Sequence, residues 1–361
     1  MSRKPQQKLR EGWTTGACAT AATRAALTAL ITGEFPDPVI ITLPKGQMPA
    51  FALAFEEKNE DWACASIIKD AGDDPDVTHQ ALITATVRFG AAGSGIIFKA
   101  GEGVGMVTKA GLPIAPGEPA INPVPRLMMT QVVEEIVLKY KVPDDVEIVI
   151  SVADGEKLAQ KTWNPRLGII GGLSILGTTG IVHPFSCSAW IHSIHSGIDV
   201  ARANGFDHVA AATGSTSEAV VKKLYSLPDF ALIDMGDFAG GMLKYLRRNP
   251  VAKVTIAGGF GKLTKLAQGF LDLHSGRSQV SFDWLAGALE QAGGSPEIQE
   301  RTRSANTAME VLTMAQKHGL PLAQYVAEKA RKTAMKTLRS APIEVEVIVI
   351  DRHGGIVGRA H

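Results

Sequence analysis

The chain has 361 residues, 45% of them hydrophobic and 20% charged, with a formal net charge of +1. That length is enough for two cores, and the composition is ordinary for a soluble protein. The near-zero charge argues against a general binder of nucleic acid or anionic membrane and leaves room only for a local basic patch.

Three cysteines, Cys18, Cys64 and Cys187, stand in no CxxC pair, so no disulfide framework is expected and a reducing compartment suits them. Residues 1–12 are polar and basic with no apolar run, which argues against a signal peptide. The Ala-rich stretch 17–31 is too short, and too broken by Thr and Arg, to span a bilayer. The expected location is the cytoplasm.

In chain order, Thr14-Thr15-Gly16 offers an N-cap for a helix running to about residue 31. Short β-type runs follow at 39–43, 50–55, 62–68, 82–89 and 95–98. A helix is expected over 128–140 and a strand over 146–152, which makes this half α+β with a mostly antiparallel sheet. The rhythm then changes. Helices at 188–203, 217–225, 240–247 and 262–270 alternate with strands at 208–212, 230–233 and 251–257, the spacing of βαβ units and a parallel sheet. Further helices are expected at 284–291, 305–318 and 322–338, then a hairpin of 343–350 and 356–357 across a turn at 351–355. The boundary is expected near Asn164, giving domains 1–164 and 165–361.

Between the strands at 62–68 and 82–89, the run 69–79 places Asp70, Asp73, Asp74 and Asp76 within seven positions and ends on His79. Packed carboxylates repel one another unless a cation or polar ligand offsets the charge. The run lacks the ligand order of an EF-hand and has too few His or Cys for zinc, so no protein-bound metal is expected. General acid–base work or hydrogen bonding to a polar substrate is one reading, with Asp70, Asp73, Asp74 and His79 as candidates. A solvated turn whose carboxylates cap backbone amides is the other.

Five glycines punctuate 164–182, where Gly177, Thr178, Thr179 and Gly180 could bring backbone and hydroxyls to a ligand. The order is not that of a dinucleotide fingerprint, and a Gly-rich crossover would look the same. Gly258, Gly259 and Gly261 precede Lys262 between a strand and a helix, but Ile256 and Leu263 break the Walker pattern. Thr213-Gly214-Ser215 and Met235-Gly236-Asp237 fill the two preceding strand-to-helix turns, where open α/β sheets collect ligands. Asp237 could accept from a ribose hydroxyl or serve as an N-cap. Lys109 follows the flexible turn 101–105, and a Pro-braced loop delivers Asn122 and Arg126 just before a helix. Arg126 suits bidentate carboxylate recognition, or it steadies its own loop. His183, Cys187, His192 and His195 lack a fourth ligand at clear spacing, and no metal is assigned to them.

Residues 10–19 (REGWTTGACA), 69–79, 101–105, 119–126, 164–182 and 261–267 (GKLTKLA) together resemble the cobalt-precorrin-5B C1-methyltransferases of corrin-ring synthesis, the CbiD family. The likeness runs to about residue 274, and several of its segments are long and unusual. Trp13, Ala17 and Phe260 depart from the family's commoner Tyr, Thr and polar residue, and Thr213-Gly214-Ser215 is unlike its usual strand end.

The resemblance implies transfer of a methyl group from S-adenosylmethionine to C-1 of cobalt-precorrin-5B, giving cobalt-precorrin-6A in cobalamin biosynthesis. It implies an N-terminal α+β domain followed by an α/β Rossmann-like three-layer domain with a mostly parallel sheet. The partner would be a tetrapyrrole small molecule, with no nucleic acid and no membrane; a homo-oligomer is compatible. Gly177–Gly180 with Asp237, Gly258, Gly259 and Gly261 are the candidate donor site. Lys109, Asn122, Arg126 and Arg166 are candidates for the ring's carboxylates. Two rivals stand beside this reading: a nucleotide-dependent phosphotransferase using 101–105 and 258–262, and a non-catalytic corrinoid-binding protein.

Overall fold

The computed structural model describes residues 9–361; residues 1–8, part of the polar N-terminal stretch, lie outside the described residues. The chain is mixed α/β and forms two compact units, one up to Cys187 and one over Ser188–His361.

The first unit is built on a five-stranded sheet of β1 (Phe55–Lys58), β2 (Trp62–Ile68), β3 (Leu82–Phe89), β4 (Ile96–Ala100) and β5 (Val146–Val152), in the order β1-β2-β3-β5-β4. Every pairing is antiparallel except that of β4 with β5. Strand β3 alternates half-buried and buried residues, and its Ile83, Ala85 and Val87 share a core with Ala63, Ala65 and Ile67 of β2. Helices α1 (Thr15–Thr32) and α2 (Pro123–Tyr140) cover that face. Alanines at 17, 19, 21, 22, 25 and 26 of α1 are all fully buried, so small side chains let the helix approach a sheet face that is itself Ala-lined. Thr14 Oγ1 accepts from the Ala17 N–H at 3.1 Å, and Gly33, at φ 88°, closes the far end by donating to Ala29 O.

The boundary expected at 164 differs from this division, because 165–187 is laced into the first unit. Ile169–Ile170 pairs with Met106–Val107, and Ile181–Val182 pairs with Gly12–Trp13. Leu173 donates to Gly103 O at 2.9 Å and Ile175 to Ala120 O at 2.8 Å. The glycines of this segment are therefore a packing device. A Cβ on Gly172 would lie 2.3 Å from Gly103 backbone, and one on Gly103 would lie 2.0 Å from Val152 O.

The second unit holds a sheet of β6 (His208–Ala212), β7 (Leu232–Asp234), β8 (Lys253–Gly259), β9 (Glu344–Ile350) and β10 (Ile356–Ala360), ordered β7-β6-β8-β9-β10. The first four strands are parallel and β10 is antiparallel to β9. The helices are α3 (Cys187–Ala203), α4 (Ser215–Tyr225), α5 (Ala239–Leu246), α6 (Phe260–Ala267), α7 (Phe282–Gln291), α8 (Pro296–Arg303), α9 (Ala308–Lys317) and α10 (Leu322–Leu338). Val345, Val347 and Val349 of β9 join one core with apolar residues of α3, α5, α6, α7, α9 and α10. Ile348 and Ile350 point the other way, into a smaller core with Val221 of α4. Burial on both faces explains why the second half of β9, Val347–Ile350, reads as a continuous apolar run.

Of the two glutamates in β9, one is buried. Glu346 has no exposed surface, and it accepts from Thr255 Oγ1 at 2.7 Å, from Arg359 Nε at 2.7 Å and from the Tyr225 hydroxyl.

Candidate functional site

The acidic loop is clasped to the chain's N-terminal segment. Arg10 pairs with Asp70, donating to Oδ1 through Nη2 at 3.0 Å, and its backbone N–H donates to Asp73 Oδ2 at 2.6 Å. Trp13 donates to Asp70 O at 2.7 Å and Asp73 to Arg10 O at 2.9 Å. The two backbones cross so closely that a Cβ on Gly12 would sit 2.0 Å from Ala71 C, and one on Gly72 would sit 2.2 Å from Arg10 O. Asp74 Oδ1 accepts from the Phe185 N–H at 2.8 Å. Asp76 takes Lys69 Nζ at 2.8 Å and both donors of Thr78, and His79 Nδ1 accepts from the Ala71 N–H at 3.1 Å. Lys69 is 1% exposed, so its pairing with Asp76 is what permits burial of the ammonium.

Each carboxylate of the run thus satisfies a donor within the first unit. The hydrogen bond from Arg10, with that from the Gly72 N–H, holds the Asp70 carboxyl down at about 2. A group so strongly ionised is a poor proton shuttle near neutrality, which removes the physical support for acid–base work by Asp70. Asparagine at position 73 keeps an acceptor for the Arg10 N–H, so Asp73→Asn should leave turnover little changed. A fall of about a hundredfold with donor affinity intact would restore acid–base chemistry at this loop.

The residues expected at the donor belong to different units. Gly177, Thr178, Thr179 and Gly180 belong to the first unit, where Gly177 and Gly180 meet Thr14, the N-cap of α1. A Cβ on Gly177 would lie 2.3 Å from Thr14 Oγ1, and Thr14 donates to Gly180 O at 3.0 Å. Asp237, Gly258, Gly259 and Gly261 belong to the second unit.

Of the expected ring clamps, Arg126 is a strut of its own loop. Its Nε donates to Ile121 O at 2.9 Å, its Nη2 reaches Glu118 Oε2 and Pro119 O at 3.1 Å, and its guanidinium lies 5.5 Å from the Phe98 ring centroid. Asn122 caps α2 through its backbone, with no side-chain capping bond, and its N–H donates to Ile175 O. Lys109 packs along Gly168, and Arg166 sits 5.4 Å from the Trp163 ring centroid. His195 stacks on Tyr245 at 3.9 Å, while His183 is paired with Glu11 at 3.0 Å. Among the described residues no group of three or more His, Cys, Asp or Glu could hold a metal ion. No described helix is long and apolar enough to cross a membrane.

In the second unit the chain leaves β6 toward β7 on one side and β8 toward β9 on the other, so the sheet has a topological switch point between β6 and β8. A cleft of about 400 Å³ opens there, at the carboxyl ends of β6, β8 and β9. The turn after β6 contributes Thr213 and Gly214, followed by the first turn of α4, Ser215–Ser217. Gly259 and Lys262 come from the β8–α6 junction, and Asp351 and Arg352 from the turn after β9. Gly214 has no side-chain cap to offer, so the leading N–H groups of α4 keep a partial positive charge toward the cleft.

The three glycines expected at β8 play different parts. Gly258 is small because Thr213 Oγ1 would lie 2.7 Å from its Cβ, Gly259 faces open space, and a Cβ on Gly261 meets only Ala308, at 3.9 Å. Lys262 pairs with Asp237, and the neighbouring buried Lys265 donates to Leu273 O at 2.9 Å. Burial, then the charge of Lys262, pushes the Lys265 ammonium below the usual lysine range.

The sequence pattern marks Gly259 and Thr213–Ser215, whereas it presents Asp351 and Arg352 as a plain hairpin turn. Asp351 Oδ1 accepts from the N–H groups of His353 and Gly355, each at 2.8 Å, which shapes that turn and sets Arg352 at the cleft. Only the parallel placement of β9 beside β8 brings them there.

Fold and cleft together define a two-unit α/β protein with a cleft at one sheet's carboxyl edge that Lys262, Asp351 and Arg352 line. The family model CbiD matches residues 2–184, and the model for the CbiD C-terminal domain matches residues 272–361. Proteins from Brucella canis and Brucella suis, both named Cobalt-precorrin-5B C(1)-methyltransferase, are each 65% identical over 359 residues, covering 99% of this chain and 98% of theirs. A solved structure titled cobalamin biosynthesis protein (cbiD) from Archaeoglobus fulgidus is 25% identical and covers 86% of this chain and 85% of that one. Its TM-score of 0.39 is too low to carry a fold argument. The chain belongs to the CbiD family.

Proposed function

We propose that this protein is a cobalt-precorrin-5B C1-methyltransferase, transferring the methyl group of S-adenosylmethionine to C-1 of the contracted ring during cobalamin biosynthesis. The observation that carries the reading is the 65% identity to relatives of that name along 99% of the chain. The soluble tetrapyrrole would be met in the cytoplasm, in keeping with three cysteines that remain free thiols.

We read the second unit as the Rossmann-like donor domain and its carboxyl-edge cleft as the donor site. The residues present fit the donor's chemistry. The first-turn N–H groups of α4, with Lys262 and Arg352, suit an amino-acid carboxylate, and Gly259 leaves room for a ligand against backbone. S-adenosylmethionine supplies a methyl already activated on a sulfonium. The protein's share is therefore placement in line with the ring carbon and exclusion of water. Lys109 and Arg166 supply cations for the ring's acetate and propionate groups, whereas Arg126 and the acidic loop hold the first unit's loops in shape.

Incubation of the purified chain with cobalt-precorrin-5B and methyl-labelled S-adenosylmethionine should place label at C-1 of the ring. Tight binding of the ring without transfer of label would overturn the reading in favour of a carrier.

A further inference from the structure

We propose that Trp190 is the adenine-side wall of the donor cleft, so that the donor lies along the carboxyl edge of the second sheet with its amino-acid end at Arg352 and its purine at Trp190. This rests on the cleft being the donor site, as argued above.

Trp190, on α3, is 44% exposed, yet its ring is fixed. Its Nε1 donates to Asp234 O, the last carbonyl of β7, at 3.1 Å, and the Phe238 ring leans on it with centroids 6.3 Å apart. Gly236, at φ +52°, lies beneath the indole: a Cβ there would be 3.4 to 3.6 Å from three of its atoms. One face of the ring thus rests on the backbone that ends β7, which leaves an immobilised apolar plate at the end of the strand next to β6, one strand beyond the residues that line the cleft. A plate held by its own N–H and backed by glycine suits stacking of a flat heteroaromatic ring, because little side-chain entropy is left to lose on binding.

The next residue, Asp237, carries the connection across. It pairs with Lys262, and Lys262 lines the cleft. From Trp190 at the end of β7 to Arg352 beyond the end of β9 the sheet order runs β7-β6-β8-β9, three strand spacings, or about 14 Å. That span fits an extended adenosyl-amino acid. The charges fall in matching order: Arg352 and the α4 amides toward the carboxylate end, and the Asp237–Lys262 pair toward the plate, where Asp237 would meet a ribose diol.

Isothermal titration of the full chain with S-adenosylhomocysteine and with 5′-methylthioadenosine, which keeps adenine and ribose but lacks the amino acid, tests the assignment. Trp190→Ala should weaken both ligands by about tenfold, since both present the purine, while Trp190→Phe should retain most of the affinity. Arg352→Ala should weaken S-adenosylhomocysteine alone. Gly259→Trp, whose side chain would grow into open space at the cleft, should abolish S-adenosylhomocysteine binding. Unchanged affinities in Trp190→Ala, with binding abolished in Gly259→Trp, would overturn the adenine wall and leave the donor cleft standing. Equal weakening of both ligands by Arg352→Ala would overturn the orientation. Undiminished binding to Gly259→Trp would overturn the cleft itself, and the wall with it. Retention of affinity by the Phe variant separates stacking from a general loss of fold.

Discussion

Glu346→Ala should destabilise the second unit by roughly 3–5 kcal/mol, the expected cost of breaking a buried charged network from its centre. Burial works against the carboxylate, but hydrogen bonds from Tyr225, Thr255 and Arg359 outweigh it, and the group sits below the usual glutamate range. Removing the side chain strands those three donors, and it also takes away the charge that His361 Nδ1 approaches at 3.2 Å. Arg359 is partly exposed and can recover some hydration, which favours the lower end of the range.

The sign of the pH dependence follows. A depressed folded-state pKa stabilises above the unfolded value and loses that contribution as pH falls through the folded value. The gap between wild type and variant in urea unfolding should therefore be full at neutral pH and shrink in acid below the ordinary glutamate range. A gap under about 1 kcal/mol at neutral pH would mean that the network is not integral to the fold.

Gly103→Ala should be at least as damaging in the first unit, with a loss above about 4 kcal/mol or no soluble protein. At φ +72° the residue is in the left-handed region, and its Cβ would meet Val152 O at 2.0 Å and Gly155 at 3.0 Å, both backbone groups of a buried crossing. Neither neighbour can swing aside. Gly46→Ala is the control: it too has positive φ, +84°, but nothing lies within 4 Å, so it should cost only about 1–2 kcal/mol of backbone strain. Thermal unfolding of the two variants side by side isolates the close approach. Similar midpoints would show that the crossing relaxes.

Much of this fold is legible in the sequence wherever burial is periodic. Trp62–Ile68, Leu82–Phe89, Val146–Val152 and the alternating helices and strands of the second unit stand where their patterns place them. Phe55–Lys58 escapes because all four residues are exposed, so this edge strand carries no burial signal. Pro296–Arg303 escapes because it is polar nearly throughout, although Ser295 caps it through the Ile298 N–H. The two-residue ribbons at 12–13 and 106–107 are tertiary pairings with partners at 181–182 and 169–170, too short for any local pattern.

The candidate site follows the same rule. Gly258–Gly261 is visible as a strand-to-helix turn, whereas Arg352 enters only through sheet order. The acidic run is conspicuous, but its meaning lies in Arg10, sixty residues earlier, which no local reading can couple to it.

The placement of β9 also bears on how the second unit comes together. Lys253 and Glu344 face each other across the β8–β9 pair although 91 positions separate them in the chain. Helices α7 to α10 lie within that interval and can form from local contacts, while the pairing that closes the sheet must meet the entropy of a long loop first. The cleft, which needs the end of β9, is then among the last features to acquire its native shape. A donor analogue that recognises only the finished cleft would accordingly act on the unfolding rate, prolonging the lifetime of the native state without hastening its formation.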